Sequence, residues 1–305
     1  MLLVIDENTD DTRLDVYLSE LYDGISRSKI QAAIKSGKVS VNDSSKKPSY
    51  LLREGDKIEF ESLVDEKELM VEPEDIPLEI VWEDENMAVV NKPSGMLTHP
   101  TTIETSGTLV NALLFKYGQN LSDVNGEFRR GIVHRLDRNT SGLLMVPKNN
   151  KTHEYLANLI KDHNLTKKYH AVLVGNYPRD KDVITDPIGR NNLNRKKMAV
   201  RPDGRPSITK LEVLERFDNE ATYVEITLVT GRTHQIRVHS SHKKHPVYND
   251  SLYGAPQGKV KTQEQVLQSF YLKFAKPFSS EIIELEIEPD EKLSKVLTYF
   301  KNRRA

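Results

Sequence analysis

One carboxylate, Asp137, lies in the run His134-Arg135-Leu136-Asp137-Arg138, with a His and two Arg within three positions of it. Opposite charge nearby favours the ionised form of a carboxyl group. An ionised, positioned carboxylate can act as a nucleophile or as a base. The run continues Asn139-Thr140-Ser141-Gly142, small residues suited to a turn, and apolar stretches at 132–133 and 143–146 bracket it as expected strand ends. Strands would fix such a loop while leaving its side chains accessible. A structural Asp–Arg ion pair would use the same residues, so spacing alone admits both readings.

The elements that must position this loop come from a chain of 305 residues, long enough that two domains are the natural expectation. Hydrophobic content of 37% and charged content of 29% describe a globular protein. The absence of Cys excludes disulfides, thiolate metal sites and cysteine nucleophiles, and it fits a reducing cytoplasm. Residues 1–5 are apolar only briefly before Asp6 and Glu7, too short for a signal peptide or membrane span. No membrane association is expected.

The formal net charge of −1 conceals uneven charge. Residues 24–47 hold six basic side chains (Arg27, Lys29, Lys35, Lys38, Lys46, Lys47) against Asp43, and residues 189–201 hold five (Arg190, Arg195, Lys196, Lys197, Arg201) against none. Residues 61–75 reverse this, with seven acids against Lys67. Local clusters, not the total, decide where a polyanion docks. Two basic clusters flanking a candidate site point toward RNA or DNA.

Residues 12–60 read as a small unit. Leu14, Tyr17, Leu18 and Leu21 keep helical spacing until Gly24; Ser26 suits an N-cap for a second helix through Ile30, Ala33 and Ile34, which Gly37 stops. A β-element at 39–41, a turn at Asn42-Asp43 and a strand at 57–60 follow. The second helix carries Arg27, Lys29 and Lys35 around its apolar stripe, an arrangement suited to a phosphate backbone. The acidic stretch to Pro77 reads as a linker. Beyond it, strands are expected at 78–82, 87–91, 169–174, 208–214, 223–228, 234–238 and 281–287, with helices around Tyr155–Ile160 positions 155–160 and 293–300. Many strands with few helices predict an α+β domain on a largely antiparallel, mixed sheet with flanking helices.

Four segments then combine: "VVNKPSGMLTHP" (89–100), "GIVHRLDRNTSGLL" (131–144), "KKYHAVLVG" (167–175) and "GRTHQIRVH" (231–239). Together they resemble the RluA/RluD family of RNA pseudouridine synthases, and residues 12–60 resemble the alpha-L RNA-binding domain of a ribosomal small-subunit protein. The resemblance implies a domain at 1–61, a linker at 62–77 and a pseudouridine synthase fold at 78–305. It implies a cofactor-free isomerisation in which uracil is detached at nitrogen 1 and rejoined through carbon 5. Asp137 then matches the catalytic nucleophile, Arg237 would pair with it, and Tyr169, expected at a strand start, would stack on the flipped base. Leu228 could wall the base, and Arg135, Arg27, Lys29, Lys35, Lys196 and Lys197 are the candidate RNA contacts. Large-subunit ribosomal RNA is the expected substrate, with transfer RNA as an alternative, and the enzyme is expected to be a cytoplasmic monomer.

If 234–239 is a strand, Arg237 shares its polar face with Gln235 and His239. Two departures from the family pattern stand out. Asn249-Asp250 occupies a position where Gly commonly precedes Asp, and Asn tolerates the left-handed backbone there. Leu267-Gln268-Ser269 replaces the usual "LHA", and Gln can still donate and accept hydrogen bonds. Lys92 could meet phosphate or simply end a strand, and His134 is read as structural. A metal hydrolase using His234, His239, His242, His245 and Asp250 is disfavoured, since strand geometry would put His234 and His239 on opposite faces. A non-catalytic RNA-binding assembly factor is the other rival, opposed by the retained trio of Asp137, Tyr169 and Arg237.

Overall fold

The computed structural model describes residues 2–5, 12–21, 27–53, 55–60, 71–101, 104–194, 196–262 and 264–303. Backbone contacts divide the chain into two compact units, one comprising residues 1–72 with 99–106 and the other residues 73–98 with 107–305.

In the first unit, β1 (Leu2–Val4), α1 (Leu14–Leu21), α2 (Arg27–Lys35), β2 (Val39–Val41), β3 (Ser44–Ser45) and β4 (Lys57–Phe60) build a sheet of order β1-β4-β2-β3 with two helices. Leu14 and Leu18 of α1 and Ile30 and Ile34 of α2 stand four apart, so each helix turns one stripe inward, against Val39, Val41, Ile58 and Phe60. Asn42 and Asp43 both take positive φ, 51° and 58°, the backbone of a tight hairpin turn between β2 and β3. The expected N-cap Ser26 lies outside the described residues.

The second unit is an α+β domain on a mixed sheet of order β5-β6-β7-β14-β8-β13-β12-β9, with β15 paired to β14. Its strands are β5 (Glu79–Glu83), β6 (Met87–Lys92), β7 (Ser141–Pro147), β8 (Leu165–Val174), β9 (Lys181–Ile184), β12 (Thr209–Phe217), β13 (Ala221–Leu228), β14 (Leu267–Ala275) and β15 (Ile282–Glu286). β10 (Ile188–Arg190) and β11 (Met198–Val200) form a separate hairpin. Helices α3 (Leu109–Tyr117), α4 (Asn150–Lys161), α5 (Gln235–His242) and α6 (Glu291–Asn302) complete it. Leu156 of α4 packs on Met87, Val89, Leu143 and Met145, while Leu293, Val296, Leu297 and Phe300 of α6 pack on Val172, Phe217 and Tyr248.

Every pairing in the large sheet is antiparallel except β7 with β14, where Gln268 meets Ser141 and Ser269 meets Gly142. That contact has a strict spatial demand. Gly142 holds φ 114°, and a Cβ there would lie 2.0 Å from the Ser269 carbonyl oxygen. Gly142→Ala is therefore expected to cost more than about 3 kcal/mol, adding backbone strain to a clash with main chain. A thermal midpoint within a degree of wild type would contradict this.

Two local expectations are corrected. Residues 132–133 are not a strand end: a 3-10 turn, Glu127–Arg129, precedes them, and the Ile132 N–H donates to the Arg129 carbonyl. Both side chains still face apolar surroundings, Ile132 buried and Val133 against the α4 cluster, so they anchor a loop rather than a ladder. Residues 234–239 are not a strand either; they enter and form most of α5, with His234 as its left-handed N-cap. The alternation of Ile236 and Val238 fits a strand, but Gln235 decides the local fold. Its side-chain oxygen accepts from the Arg232 N–H (2.9 Å) and the Thr230 hydroxyl (2.8 Å), and its amide donates to the Ile208 carbonyl (3.0 Å). These bonds close a turn at the end of β13 and start a helix.

Candidate active site

The loop carrying Asp137 runs into β7 and is held through its backbone carbonyls, by side chains from outside it as well as by its own main chain. The Thr98 hydroxyl donates to the Leu136 carbonyl at 2.8 Å, and the Thr140 N–H donates to the Asp137 carbonyl at 3.1 Å. Two lysines bind its carbonyls. Lys92, fully buried at the end of β6, donates to Pro93 (2.9 Å), Met96 (2.8 Å) and Arg138 (3.0 Å); Lys292 donates to the Asn139 carbonyl at 2.6 Å. Burial lowers the Lys92 pKa to about 7, with Lys292 repelling its charge and Asp137 partly restoring it. Lys92 thus ends a strand and staples the loop. His134 accepts the Met145 N–H at 3.0 Å, and burial, reinforced by Lys167, lowers its pKa to about 3. It is a neutral structural acceptor.

Arg237 extends from α5 and joins two carboxylates. Its Nη1 donates to Asp137 Oδ2 at 2.9 Å, while Nε and Nη2 form a fork on Asp250 at 2.6 and 2.9 Å. Burial opposes its charge, but the Asp250 hydrogen bond and the attraction of both carboxylates outweigh that and raise its pKa. The guanidinium also lies 5.0 Å from the Tyr253 ring centre. Asp250 was not anticipated in this role. Its side chain also accepts from the Tyr253 N–H, and Asn249 beside it holds φ 61°, the left-handed backbone that the Asn-for-Gly departure allows. The Tyr253 hydroxyl accepts the Met198 N–H at 2.9 Å and is hydrogen-bonded to His234 Nδ1 at 2.7 Å. The other ring nitrogen of His234, Nε2, lies 3.8 Å from Asp137 Oδ1.

Tyr169 lies in the middle of β8, not at its start, with 6% of its surface exposed. Burial raises its pKa to about 12, while a hydrogen bond with Ser269 opposes the rise and Asp137 adds to it. It is a neutral phenol beside the carboxylate. Leu228 closes β13 and is buried, paired across the ladder with Lys167. The charge beside Asp137 comes from Arg237, whereas Arg135 of the same loop is exposed. Gln268 donates to the Glu288 carbonyl (2.9 Å) and accepts the Asp290 N–H (3.0 Å), so in place of a His it fixes the entry to α6.

The candidate RNA contacts divide. Lys196, exposed, and Lys197, half-buried, lie at the tip of the β10–β11 hairpin, whose Met198 is bonded to Tyr253. Lys35 lines a groove of about 480 Å³ with Lys46, Lys47 and Arg13. Arg27 is committed locally, donating to the buried Asp15 at 2.9 Å. The Lys29 side chain lies outside what is described. A cavity of about 990 Å³ is lined by Lys92, Ser94 and Lys292, groups bonded to the loop that carries Asp137, but by none of Asp137, Tyr169 or Arg237.

No group of three or more His, Asp or Glu among the described residues could hold a metal ion. His239 instead has Thr209 Oγ1 and the Asp186 carbonyl on its two ring nitrogens, each at 2.8 Å. No described helix is long and apolar enough to cross a membrane.

Residues 86–242 match the RNA pseudouridylate synthase family, and residues 12–58 match the S4 domain. The first of these families comprises enzymes that rearrange uridine in RNA. The chain is 39% identical over 291 residues to the uncharacterized RNA pseudouridine synthase YlyB of Bacillus subtilis, across 95% of each sequence. It is 37% identical over 287 residues to ribosomal large subunit pseudouridine synthase D of Zymomonas mobilis, across 90% of each. Human RNA pseudouridylate synthase domain containing 1 superposes with a TM-score of 0.58 at 26% identity, covering 76% of this chain and 98% of that one. The chain belongs to the RNA pseudouridine synthase family, of the RluA/RluD type, and isomerises uridine in RNA.

Proposed function

We propose that the substrate is a set of uridines in large-subunit ribosomal RNA and that Asp137 is the attacking carboxylate. Arg237 holds it, and Tyr169 and Leu228 receive the flipped base. The observation that carries this reading is a difference in burial along one network. Asp250, the holder, is fully enclosed, whereas the Asp137 side chain keeps 17% of its surface open beside a guanidinium that is 7% exposed. The open side of Asp137 gives a ligand access to a carboxylate whose guanidinium is already fixed by Asp250.

In this mechanism the bond between N1 and C1′ breaks and its electron pair leaves with the uracil. Asp137 either bonds to the sugar or assists loss of a sugar proton. The uracil turns and C5 bonds to C1′ as the carboxylate–sugar bond breaks or, on the other route, as C2′ regains its proton; a proton then leaves C5 and N1 regains one, so substrate and product have the same atoms. The Tyr169 oxygen can take the C5 proton as it passes its own phenol proton to the Asp137 carboxylate, so that it stays neutral throughout. No cofactor or metal is needed for this balance.

The relatives named for ribosomal large subunit modification support the choice of RNA. We also read residues 1–61 as an RNA-binding module joined by a linker at 62–77 to a catalytic domain at 78–305, in a cytoplasmic monomer. Mapping pseudouridines in RNA from a strain lacking the gene tests the substrate: specific large-subunit uridines should lose modification. Loss confined to transfer RNA would contradict it. Deleting residues 1–61 should weaken RNA binding and flatten its salt dependence, because fewer phosphate contacts release counterions. Equal affinity and an equal salt slope for the two forms would remove the module from RNA recognition.

A further inference from the structure

We propose that Lys167 is a further catalytic residue, whose ammonium donates a hydrogen bond to a carbonyl oxygen of the flipped uracil. The inference rests on the reading of the site given above and goes beyond it by assigning the group that receives the base. Lys167 is only 7% exposed, yet its Nζ has no hydrogen-bond or ion-pair partner among the described residues. The other two lysines near the loop are bonded, Lys92 to three carbonyls and Lys292 to the Asn139 carbonyl and the Ser94 hydroxyl. An ammonium so largely enclosed, with no protein group bonded to it among the described residues, calls for an explanation.

Its position supplies one. Lys167 stands two residues before Tyr169 on β8, so both side chains leave the same face of the strand. Leu228, the candidate wall of the base pocket, is its partner across the ladder. Its Nζ lies against Gly231, where an added Cβ would sit 3.5 Å away, in the turn that leads to α5 and Arg237. It is also close enough to the catalytic loop to act on His134. One ammonium therefore stands on the face of β8 that carries Tyr169, across the ladder from Leu228 and against the turn before α5. Burial lowers its pKa to about 8, which leaves it mostly charged at neutral pH.

The chemistry needs such a donor. When the N1–C1′ bond breaks, the departing electron pair spreads over N1 and the two carbonyl oxygens of the uracil ring. A preorganised cation at one oxygen stabilises that anion more than neutral uridine. It also rejects cytidine if it meets the oxygen on carbon 4, because cytosine presents a donor there. When C5 attacks C1′, the ring becomes neutral again and the lysine is unchanged, so no co-reactant is consumed.

The test is Lys167→Met and Lys167→Arg in the full-length protein, read by single-turnover pseudouridine formation on ribosomal RNA from a strain lacking the gene. Lys167→Met should slow the reaction by about 100-fold or more. RNA affinity should change by less than about threefold, and the melting temperature should hold or rise, since an apolar chain replaces an unpaired buried charge. Lys167→Arg, which keeps the cation, should recover at least about tenfold of the rate. A Lys167→Met rate within about threefold of wild type would overturn the proposal. So would failure of that variant to fold, or an Arg variant as slow as the Met variant. Normal turnover by Asp137→Asn in the same assay would instead overturn the underlying reading of the site.

Discussion

Exchanging Asp137 for Asn should lower pseudouridine formation by about 10⁴-fold or more, the scale seen when an indispensable catalytic group is removed. The substitution is nearly isosteric, and the amide oxygen can still accept from Arg237 Nη1, 2.9 Å away in the native protein. What disappears is the negative charge, and with it the ability to attack the sugar or remove its proton. Arg237 retains its fork on Asp250, and Asp137 is not fully buried, so the fold should survive. RNA affinity should stay within about threefold, because phosphate contacts dominate binding and none is altered. Nucleoside analysis of RNA after single-turnover incubation, alongside a binding titration, reads both quantities. Loss of binding equal to the loss of rate would mean that Asp137 positions RNA and does no chemistry.

The largest stability effect is expected at Asp250. Asp250→Ala leaves the buried Arg237 with Asp137 as its remaining carboxylate and removes the side-chain acceptor for the Tyr253 N–H. Breaking a buried ion pair by removing one partner costs about 3–5 kcal/mol, chiefly because the other charge stays buried. Trp82, the single Trp, lies in β5 of the catalytic unit and reports its urea unfolding. The midpoint should fall accordingly, whereas Asp137→Asn should shift it much less. The double substitution Asp250→Leu with Arg237→Met, which removes both charges, should recover part of the loss. If Asp250→Ala unfolds at the wild-type midpoint, Asp250 is not what fixes Arg237.

The pairing of Asp137 with Arg237 was legible because both lie in long, specific motifs, although a hundred residues separate them. The means of pairing was not. The "HQIRVH" run satisfies a two-residue period, so it reads as a strand; the Gln235 bonds that make it a helix involve Ile208 and Thr230, partners that periodicity does not see. Asp250 was visible as an acidic residue in a departing motif. Its role depends on the left-handed turn at Asn249, which aims the carboxylate at a guanidinium thirteen residues earlier. α3 carries so many apolar residues that no face stood out, although Thr108 and Asn111 form a capping box at its start. The insertion of β14 between β7 and β8 joins segments more than a hundred residues apart, and only the glycine at 142 hinted at the close approach. Lys92 showed its identity but not its use, since its carbonyl partners come from the turn that follows it and from Arg138, 46 residues away.

The most direct measurement is a crystal structure of the protein bound to an RNA carrying its target uridine as 5-fluorouridine. The base should be out of its helix, against Tyr169, with a carboxylate oxygen of Asp137 within about 3.5 Å of the sugar at C1′ or C2′ and Arg237 still on that carboxylate. A base left in its stack, or an Asp137 turned away from the sugar, would contradict the account.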